Sequence, residues 1–177
     1  GAGLGSDRVY VGNNDLGAAG GQTAAIDQTM AGQVSIPAFN NLVIENRTTA
    51  SQDLPPIRVA IHPGGIIYGV YERATTITSV GANVWNIVSD LIIVRDDNWG
   101  LGANPYTALN DPVDLIAGNR ARTGLTYTFA TTSGIVGQER GGTRLNIAVD
   151  PNNCNRVYIV WTDNNPLGGN NYSLHII

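Results

Sequence analysis

Lysine is absent from this chain, and cysteine occurs once among its 177 residues. All ten cationic side chains are therefore arginine, and the formal net charge of −4 argues against a protein that binds nucleic-acid phosphates. Cys154 has no partner for an internal disulfide, which excludes a disulfide-stapled scaffold. No apolar run approaches the roughly 20 residues of a membrane-spanning helix. We therefore expect neither a nucleic-acid partner nor a membrane span.

Charge of either sign is scarce. Charged residues make up 14% of the chain, whereas about 25% is usual for a soluble domain. The 22 glycines and eight prolines follow no fixed period, which is typical of a turn-rich β protein. No segment keeps a 3.6-residue apolar period, so no long helix is predicted. The composition predicts one all-β domain over residues 1–177, built from antiparallel sheets.

Two stretches, 57–73 and 145–163, predict β-hairpins of the same design. Each has a short apolar strand, a polar turn containing proline, and a second strand rich in β-branched and aromatic residues. Aligning the two places His62 on Asp150, at the start of the turn. A turn-capping role for His62 follows from this position.

A tyrosine follows at the same place in both hairpins, Tyr68 in the first and Tyr158 in the second. The stretch DRVYVGNN at 7–14 supplies a third match, Tyr10. Self-similar β units of this kind are typical of propellers, whose blades hold four antiparallel strands in about 40–45 residues. We therefore predict two to three blades of a partial propeller with an incomplete ring, and a β-sandwich is the alternative.

Further strands are predicted from short apolar or alternating runs. These lie at 7–14, 22–29, 41–46, 90–96, 105–109 and 125–131, and a last one begins at 172. Residues 74–89 are predicted to be a loop or a strand extension. Residues 111–124 are predicted to be a loop with a helical turn near 113–117.

The runs RVAIHPGGIIYGVY, LIIVRDDNWG, GQERGGTRLNIAVDPNNCNRVYIVWTD and YSLHII resemble the sialidase-like BNR-repeat proteins. The resemblance implies a secreted or cell-surface β-propeller. In that family a structural Asp-box turn, S-x-D-x-G-x-T-W, follows the third blade strand. Its nearest match here has Asp96 at the Ser place, Asn98 at the Asp place and Gly100 at the Gly place. A second match, at 27–32, keeps only a glycine and a threonine. A third box would begin after Ile177, so we expect this chain to be a piece of a longer protein.

A sialidase clamps a carboxylate with three arginines and uses a tyrosine activated by a glutamate, together with an aspartate as acid/base. Arginine suits the clamp because its planar fork binds a carboxylate through two parallel hydrogen bonds. The resemblance makes Arg58 a weak candidate for the first clamp arginine and Glu139 a weak candidate for a polar site group. The alternatives are an ordinary arginine at the start of a strand and an ion pair between Glu139 and Arg140 in a loop.

Three neighbouring residues are candidates for ligand binding. Asp96 and Asp97 could form a carboxylate pair or supply oxygen ligands to Ca²⁺, or they could stabilise a turn through Asx hydrogen bonds. Trp99 lies at the same turn and is the candidate for stacking on a sugar. Trp161, after an apolar strand, is expected in the core.

The remaining polar candidates are few. His62 and His175 are too far apart in sequence to suggest a zinc site, and no other metal site is predicted. The sequons at Asn46 and Asn171 are compatible with glycosylation of a secreted protein.

The first functional hypothesis is a non-catalytic sialidase-like segment that binds a ligand, such as a glycan, or assembles with itself. Its partners would be other copies or the missing remainder of the chain, joined through open strand edges into rings or filaments. The second hypothesis is an exo-sialidase type of glycoside hydrolase. The third is a structural surface protein with a β-sandwich.

Overall fold

The computed structural model of the protein describes residues 7–50, 56–130, 145–164 and 173–177. They form an all-β fold of antiparallel sheets, as predicted. The strands are β1 (Val9–Asn14), β2 (Ala24–Thr29), β3 (Asn40–Val43), β4 (Arg58–Ile61), β5 (Ile67–Gly81), β6 (Val84–Asp96), β7 (Asn119–Ala130), β8 (Asn146–Asp150), β9 (Asn153–Asp163) and β10 (Ser173–Ile176). Sheet I has the order β1-β2-β3, sheet II the order β4-β5-β6-β7 and sheet III the order β10-β9-β8. A short 3-10 turn, Ala19–Gly21, is the one helical element of the described residues, and no described helix has the length and apolar character to cross a membrane.

The two similar hairpins pair in the same register. In the first hairpin, β4–β5, Ala60 lies opposite Tyr68. In the second, β8–β9, Ala148 lies opposite Tyr158. The residues on either side of these pairs also match in the two hairpins. The repeat seen in the sequence is therefore a repeat of strand pairing.

The turns of the two hairpins are also capped alike. The Nδ1 atom of His62 accepts a hydrogen bond from the backbone N–H of Gly64 at 3.0 Å. In the second hairpin, Oδ1 of Asp150 accepts from the N–H of Asn152 at 2.9 Å. An imidazole nitrogen and a carboxylate oxygen thus accept the same turn-capping hydrogen bond at equivalent positions. The turn-capping role predicted for His62 is confirmed.

The third member of the tyrosine series was wrongly assigned. Tyr10 lies on β1, the first strand of its sheet, whereas Tyr68 and Tyr158 lie on the second strands of theirs. Their surroundings differ as well. The hydroxyl of Tyr68 donates to the carbonyl of Cys154 at 2.7 Å and that of Tyr10 to the carbonyl of Trp99 at 2.9 Å, whereas Tyr158 is exposed. A match of two adjacent residues in a β-rich chain did not distinguish a first strand from a second.

Residues 74–89 belong to a long hairpin, which is the strand-extension alternative of the prediction. β5 and β6 stay paired out to Gly81 and Val84, and Asn83 takes the left-handed conformation that closes the turn. β7 begins at Asn119, earlier than predicted, because it pairs along β6. Cross-strand pairing sets the lengths of β5, β6 and β7. The Thr-rich sequence at 74–80 is compatible with this pairing because threonine favours strands.

The strand predicted at 105–109 is absent from the described residues. The helical turn predicted near 113–117 corresponds to a single turn, closed by a hydrogen bond from the N–H of Leu115 to the carbonyl of Asp111 at 2.9 Å, which does not continue as a helix. Tyr106 has a positive φ of 61°, and its N–H is bound by the Asp96 carboxylate, so the backbone turns there. Asp111 accepts hydrogen bonds from the N–H groups of Val113 and Asp114, which forms an Asx-type turn. Side chains thus compete successfully with regular structure in this loop.

The three sheets stack face to face in chain order. Tyr68 and Val70 on β5 pack in a cluster with sheet III residues, whereas Ile67 and Tyr71 on the same strand pack in a cluster with sheet I residues. Both faces of sheet II are therefore covered, which explains why the strand sequence IYGVY is apolar throughout instead of alternating. Most of the buried apolar side chains lie in these two layers.

The first strands of the three sheets are neighbours. β1 contacts β4, and β4 contacts β8. The approach of β1 to β4 is close, because a Cβ atom on Gly12 would lie 1.7 Å from the carbonyl oxygen of Ile57. Only glycine permits this distance. Sheet I therefore packs on sheet II in the same way as sheet II packs on sheet III: face to face, with the first strands in contact.

Candidate functional site

The outer face of sheet III carries exposed apolar side chains, although Thr162, which lies opposite Leu174 on this face, is buried. Because side chains alternate along a strand, Trp161 and His175 point toward sheet II, and their neighbours point away. The outward residues that form this "sheet III face" are Tyr158, Val160, Leu174 and Ile176. Tyr158 is 44% exposed, Leu174 72% and Ile176 70%. Contiguous exposed apolar side chains of this kind mark an interaction surface.

The outer face of sheet I is also partly apolar. Its exposed side chains, which with Asp27 form the "sheet I face", are Val9, Val11 and Val43. Asp27 lies in the middle of this face, and its two carboxylate oxygens accept from the side-chain amides of Asn13 at 2.6 Å and Asn41 at 2.8 Å. Ala25 and Thr29 lie on the same face of β2 and are buried, so the exposed part of the sheet I face is limited to Asp27 and the aliphatic side chains of β1 and β3.

Asp96 is the centre of the turn that ends β6. It is buried, its Oδ1 atom accepts from the N–H groups of Asn98 and Gly100, and its Oδ2 atom accepts from the N–H of Tyr106 at 3.0 Å. Three backbone donors occupy the two oxygens, so the carboxylate is committed to the turn. The Asx-turn alternative is the one that this geometry supports.

Replacing Asp96 by asparagine is expected to lower the free energy of unfolding by about 1–3 kcal/mol, because an amide NH₂ would face the buried N–H of Tyr106 and leave it unpaired. The matched control is Asp97→Asn, since Asp97 is an exposed carboxylate one residue away. It is expected to change stability by less than about 0.5 kcal/mol. Urea unfolding followed by tryptophan fluorescence measures both. Equal losses in the two variants would contradict the structural role of Asp96.

Asp97 does not join Asp96 in a carboxylate pair. Its carboxylate binds the guanidinium of Arg95 instead. The Arg95 guanidinium also reaches the side chain of Asn155 at 2.7 Å and lies near the Tyr68 ring, so it links sheets II and III. Among the described residues, no group of three or more His, Cys, Asp or Glu is placed to hold a metal ion. The calcium hypothesis for Asp96 and Asp97 therefore has no supporting geometry.

The Trp99 ring contacts two other segments of the chain. A Cβ atom on Gly65 would lie 2.4 Å from the indole nitrogen, so the ring packs closely on this glycine. The Arg8 guanidinium carbon lies over the ring, 4.0 Å from its centroid, in a cation–π contact. The left-handed backbone of Trp99, with φ at 57°, places the ring there. Trp99 thus links sheets I and II, and sugar stacking on its ring stays a prediction. Trp161 is buried, as predicted.

Arg58, the candidate clamp arginine, has a structural partner among the described residues. Arg58 begins β4, and its Nε atom donates to the carbonyl of Leu145 at 3.2 Å. This contact fits the alternative of an ordinary arginine at the start of a strand. The weak catalytic candidate Glu139 and the sequon residue Asn171 lie outside the described residues. The other sequon residue, Asn46, is exposed, so it is accessible.

The two histidines lie apart in different sheets. The Nε2 atom of His62 lies 3.1 Å from the carbonyl of Pro151, so it joins the turns of the two similar hairpins. The Nε2 atom of His175 lies 2.9 Å from Oδ1 of Asp163, and the ring stacks on Trp161. Each ring has a structural partner in the fold.

A buried arginine, missed in the sequence, organises the loop before β7. Arg47 binds Asp114 through Nε at 2.9 Å and through a second nitrogen. The same guanidinium donates to backbone carbonyls of the loop, including that of Gly118 at 2.6 Å. Arg120 binds Asp111 and Asp114 from the other side. The hydrogen bond from the Arg47 guanidinium holds the pKa of Asp114 below its usual range, and burial opposes this effect. Burial also acts to raise the pKa of Asp111, but hydrogen bonds from the backbone N–H groups of Arg120 and Val113 and the charge of Arg120 outweigh it and lower this pKa.

A buried glutamate, also missed in the sequence, lies between sheets II and III. Glu72 is 1% exposed, and its carboxylate accepts from the Ser89 hydroxyl at 3.1 Å and is hydrogen-bonded to Tyr127. Burial raises its pKa to about 7; the hydrogen bonds oppose this shift, and the nearby charge of Asp163 adds to it. The alternation of side chains along β5 did not predict that Glu72 is buried. Its burial follows from the packing of other sheets on both faces of sheet II.

Two tyrosine–glutamate pairs are hydrogen-bonded among the described residues, Glu72 with Tyr127 and Glu45 with Tyr71. All four side chains are almost fully buried. A nucleophile must reach its substrate, and a tyrosine enclosed in this way cannot. Both pairs are therefore structural in this conformation.

The chain was also compared with known proteins. It matches no protein-family model, no curated protein and no solved structure.

Proposed function

We propose that this chain is a non-catalytic, sialidase-like stack of β-sheets that acts in binding and self-assembly. The single observation that carries the proposal is the apolar, exposed outer face of sheet III, with Leu174 at 72% and Ile176 at 70% exposure on one strand. Soluble proteins seldom expose contiguous apolar side chains without a partner for them. The sheet I face supplies a second such surface.

The stacked arrangement supports the resemblance to a propeller. Sheet II has four antiparallel strands in simple sequential order, as a propeller blade does. Successive blades pack face to face with their first strands closest together, and β1, β4 and β8 are neighbours in this way. A sheet at the end of such a stack has one face uncovered until another sheet packs on it.

Binding and assembly are favoured over glycoside hydrolysis by the state of the candidate catalytic groups. Arg58 binds a backbone carbonyl, and Glu72 and Tyr127 are enclosed in the core. Hydrolysis of a sialoside needs an arginine clamp and an accessible nucleophile around one cavity. The contacts of the described residues bring no such set together.

Light scattering coupled to size-exclusion chromatography tests the proposal. The protein is expected to form species larger than one chain, and their fraction should rise with concentration by mass action. A compact monomer at every concentration up to the solubility limit would overturn it. A fluorogenic sialoside serves as the parallel assay for the second hypothesis, and no turnover is expected. Turnover that Arg58→Ala abolishes would replace assembly by catalysis as the proposed function.

A further inference from the structure

We propose that the sheet III face of one copy packs on the sheet I face of a second copy, head to tail, an inference that rests on the proposed function. The occupant of each face is therefore the other face of an identical chain. Val160, Leu174 and Ile176 of one copy would contact Val9, Val11 and Val43 of the next.

The internal stack provides the template for this contact. Sheet II receives sheet I on one face and sheet III on the other, and both contacts bring first strands together. Repeating the same relation once more places β1 of a second copy beside β8 of the first. The outward residues of β8, Asn146 and Ala148, are exposed and small enough to permit a close approach. The sheet shapes that pack within one chain are thus suited to pack between two.

Charge at the two faces is complementary. Asp27 lies on the sheet I face with two asparagine amides as its partners, and no arginine of the described residues forms an ion pair with it. On the other face, Arg156 lies two residues before Tyr158 and therefore points outward with it. Arg156 is exposed, and its one ion pair, with Asp150, is long at 3.4 Å. Burial of a carboxylate in an interface requires a cation or several donors, and Arg156 of the neighbouring copy supplies the cation.

Because the two faces differ, the contact is heterologous. Each copy keeps one unused face after the first contact, so growth continues to a ring or a filament unless a face is blocked. This distinguishes it from a two-fold dimer in which one face pairs with itself. The distinction can be measured with variants that block one face at a time.

Two single variants block the faces. Leu174→Glu places a charge on the sheet III face, and Val11→Glu places one on the sheet I face. Both positions are exposed, so folding is expected to be preserved. Each variant alone is expected to be monomeric, with association weakened roughly 100-fold or more because an unpaired charge would be buried in the contact. Val80→Glu, at an exposed strand position away from both faces, is the matched control and is expected to assemble like the unmodified chain.

Mixing the two blocked variants gives the decisive result. The Val11→Glu chain keeps an intact sheet III face and the Leu174→Glu chain keeps an intact sheet I face, so an equimolar mixture is expected to form a dimer with one chain of each. Native mass spectrometry with one variant isotope-labelled identifies that dimer. Self-association of one variant alone, while the other is monomeric, would indicate a face that pairs with itself and would overturn the proposal.

The charge pair provides an independent test of the docking geometry. Asp27→Arg and Arg156→Asp are each expected to weaken association about tenfold or more, and combining them in one chain should restore most of it. Failure of the double variant to recover would contradict the pairing of Asp27 with Arg156.

The outcomes separate the two proposals. If the unmodified protein is monomeric at all concentrations, the proposed function fails. If it assembles and both Leu174→Glu and Val11→Glu assemble equally well, the proposed function stands and this inference fails. A complex that forms only with another protein or a glycan, and never between copies, also overturns the inference.

Discussion

Replacing Arg47 by alanine is expected to lower the free energy of unfolding by about 3–5 kcal/mol, which is among the largest single effects in this chain. Arg47 is 3% exposed, and its guanidinium binds Asp114 and the carbonyls of Ala117, Ile116 and Gly118. Removing it leaves these acceptors, which are partly or fully screened from water, without donors. Urea unfolding at pH 7 measures the loss.

Arg122→Ala is the matched control, because Arg122 is an exposed arginine on β7 with few neighbours to lose. It is expected to change stability by less than about 0.5 kcal/mol. Arg47→Lys keeps the charge but not the planar fork, so it is expected to recover less than half of the loss. Equal stability of the Arg47→Ala and Arg122→Ala variants would show that the loop before β7 holds its conformation without the arginine.

The large effect expected at Arg47 has no counterpart in the local sequence. The residues around it, NLVIENRTT, indicate a strand followed by a polar turn, and an arginine at the end of a strand is ordinarily exposed. Its burial arises because the loop of residues 110–118, far along the chain, folds over it and offers carbonyls and Asp114. Contacts of this range depend on the sheet stacking and are not encoded in any periodicity.

The hairpins, in contrast, follow from local chemistry. Proline at 63 and 151, a capping His62 or Asp150, and β-branched flanks specify turn and strands within a short segment. For the same reason the all-β class was predictable. Trp99 shows the limit, since its contacts with Gly65 and with the Arg8 guanidinium join segments that are far apart in the sequence and are visible only in the structure.

The exposed outer faces of the sheets could be predicted from the sequence only in part. The alternation of Leu174, His175 and Ile176 predicts one polar and one apolar side for β10, but either side can face the core. The structure places the two aliphatic residues outward and the histidine inward, against Trp161 and Asp163. This inversion of the usual pattern is what makes an uncovered sheet face, and it is visible only when the direction of the core is known.

Replacing Glu72 by glutamine is expected to remove a loss of stability that the unmodified protein undergoes as the pH rises from about 4.5 to about 7. The pKa of Glu72 rises from 4.5 to about 7 in the folded protein, mainly because burial disfavours the charged form. A raised pKa of an acid stabilises the fold below pH 4.5, and this contribution is lost as the pH rises through 7. The shift corresponds to about 3 kcal/mol lost above pH 8.

Glutamine does not titrate, so the Glu72→Gln variant avoids this loss. At pH 5 it should be equal to the unmodified protein or slightly less stable, and at pH 8.5 its stability relative to the unmodified protein should have risen by about 3 kcal/mol. Urea unfolding at half-unit pH intervals measures the difference. His175 near Asp163 is common to both chains, so its contribution cancels when the two profiles are subtracted.

The groups around Glu72 provide the second variant. Ser89 and Tyr127 face it from sheet II, and Asp163, bound to His175, faces it from sheet III. Since the charge of Asp163 adds to the raised pKa, Asp163→Asn is expected to lower the folded-state pKa of Glu72, so that the loss of stability is smaller and is complete at a lower pH. Parallel pH profiles for the unmodified chain and Glu72→Gln would mean that Glu72 is solvated in the folded protein and that sheets II and III are less closely packed there. If the difference in unfolding free energy between the two chains grows as the pH rises to 7, the packing of sheets II and III depends on the protonation of Glu72. The reason is that ionisation of Glu72 places a second carboxylate charge beside Asp163.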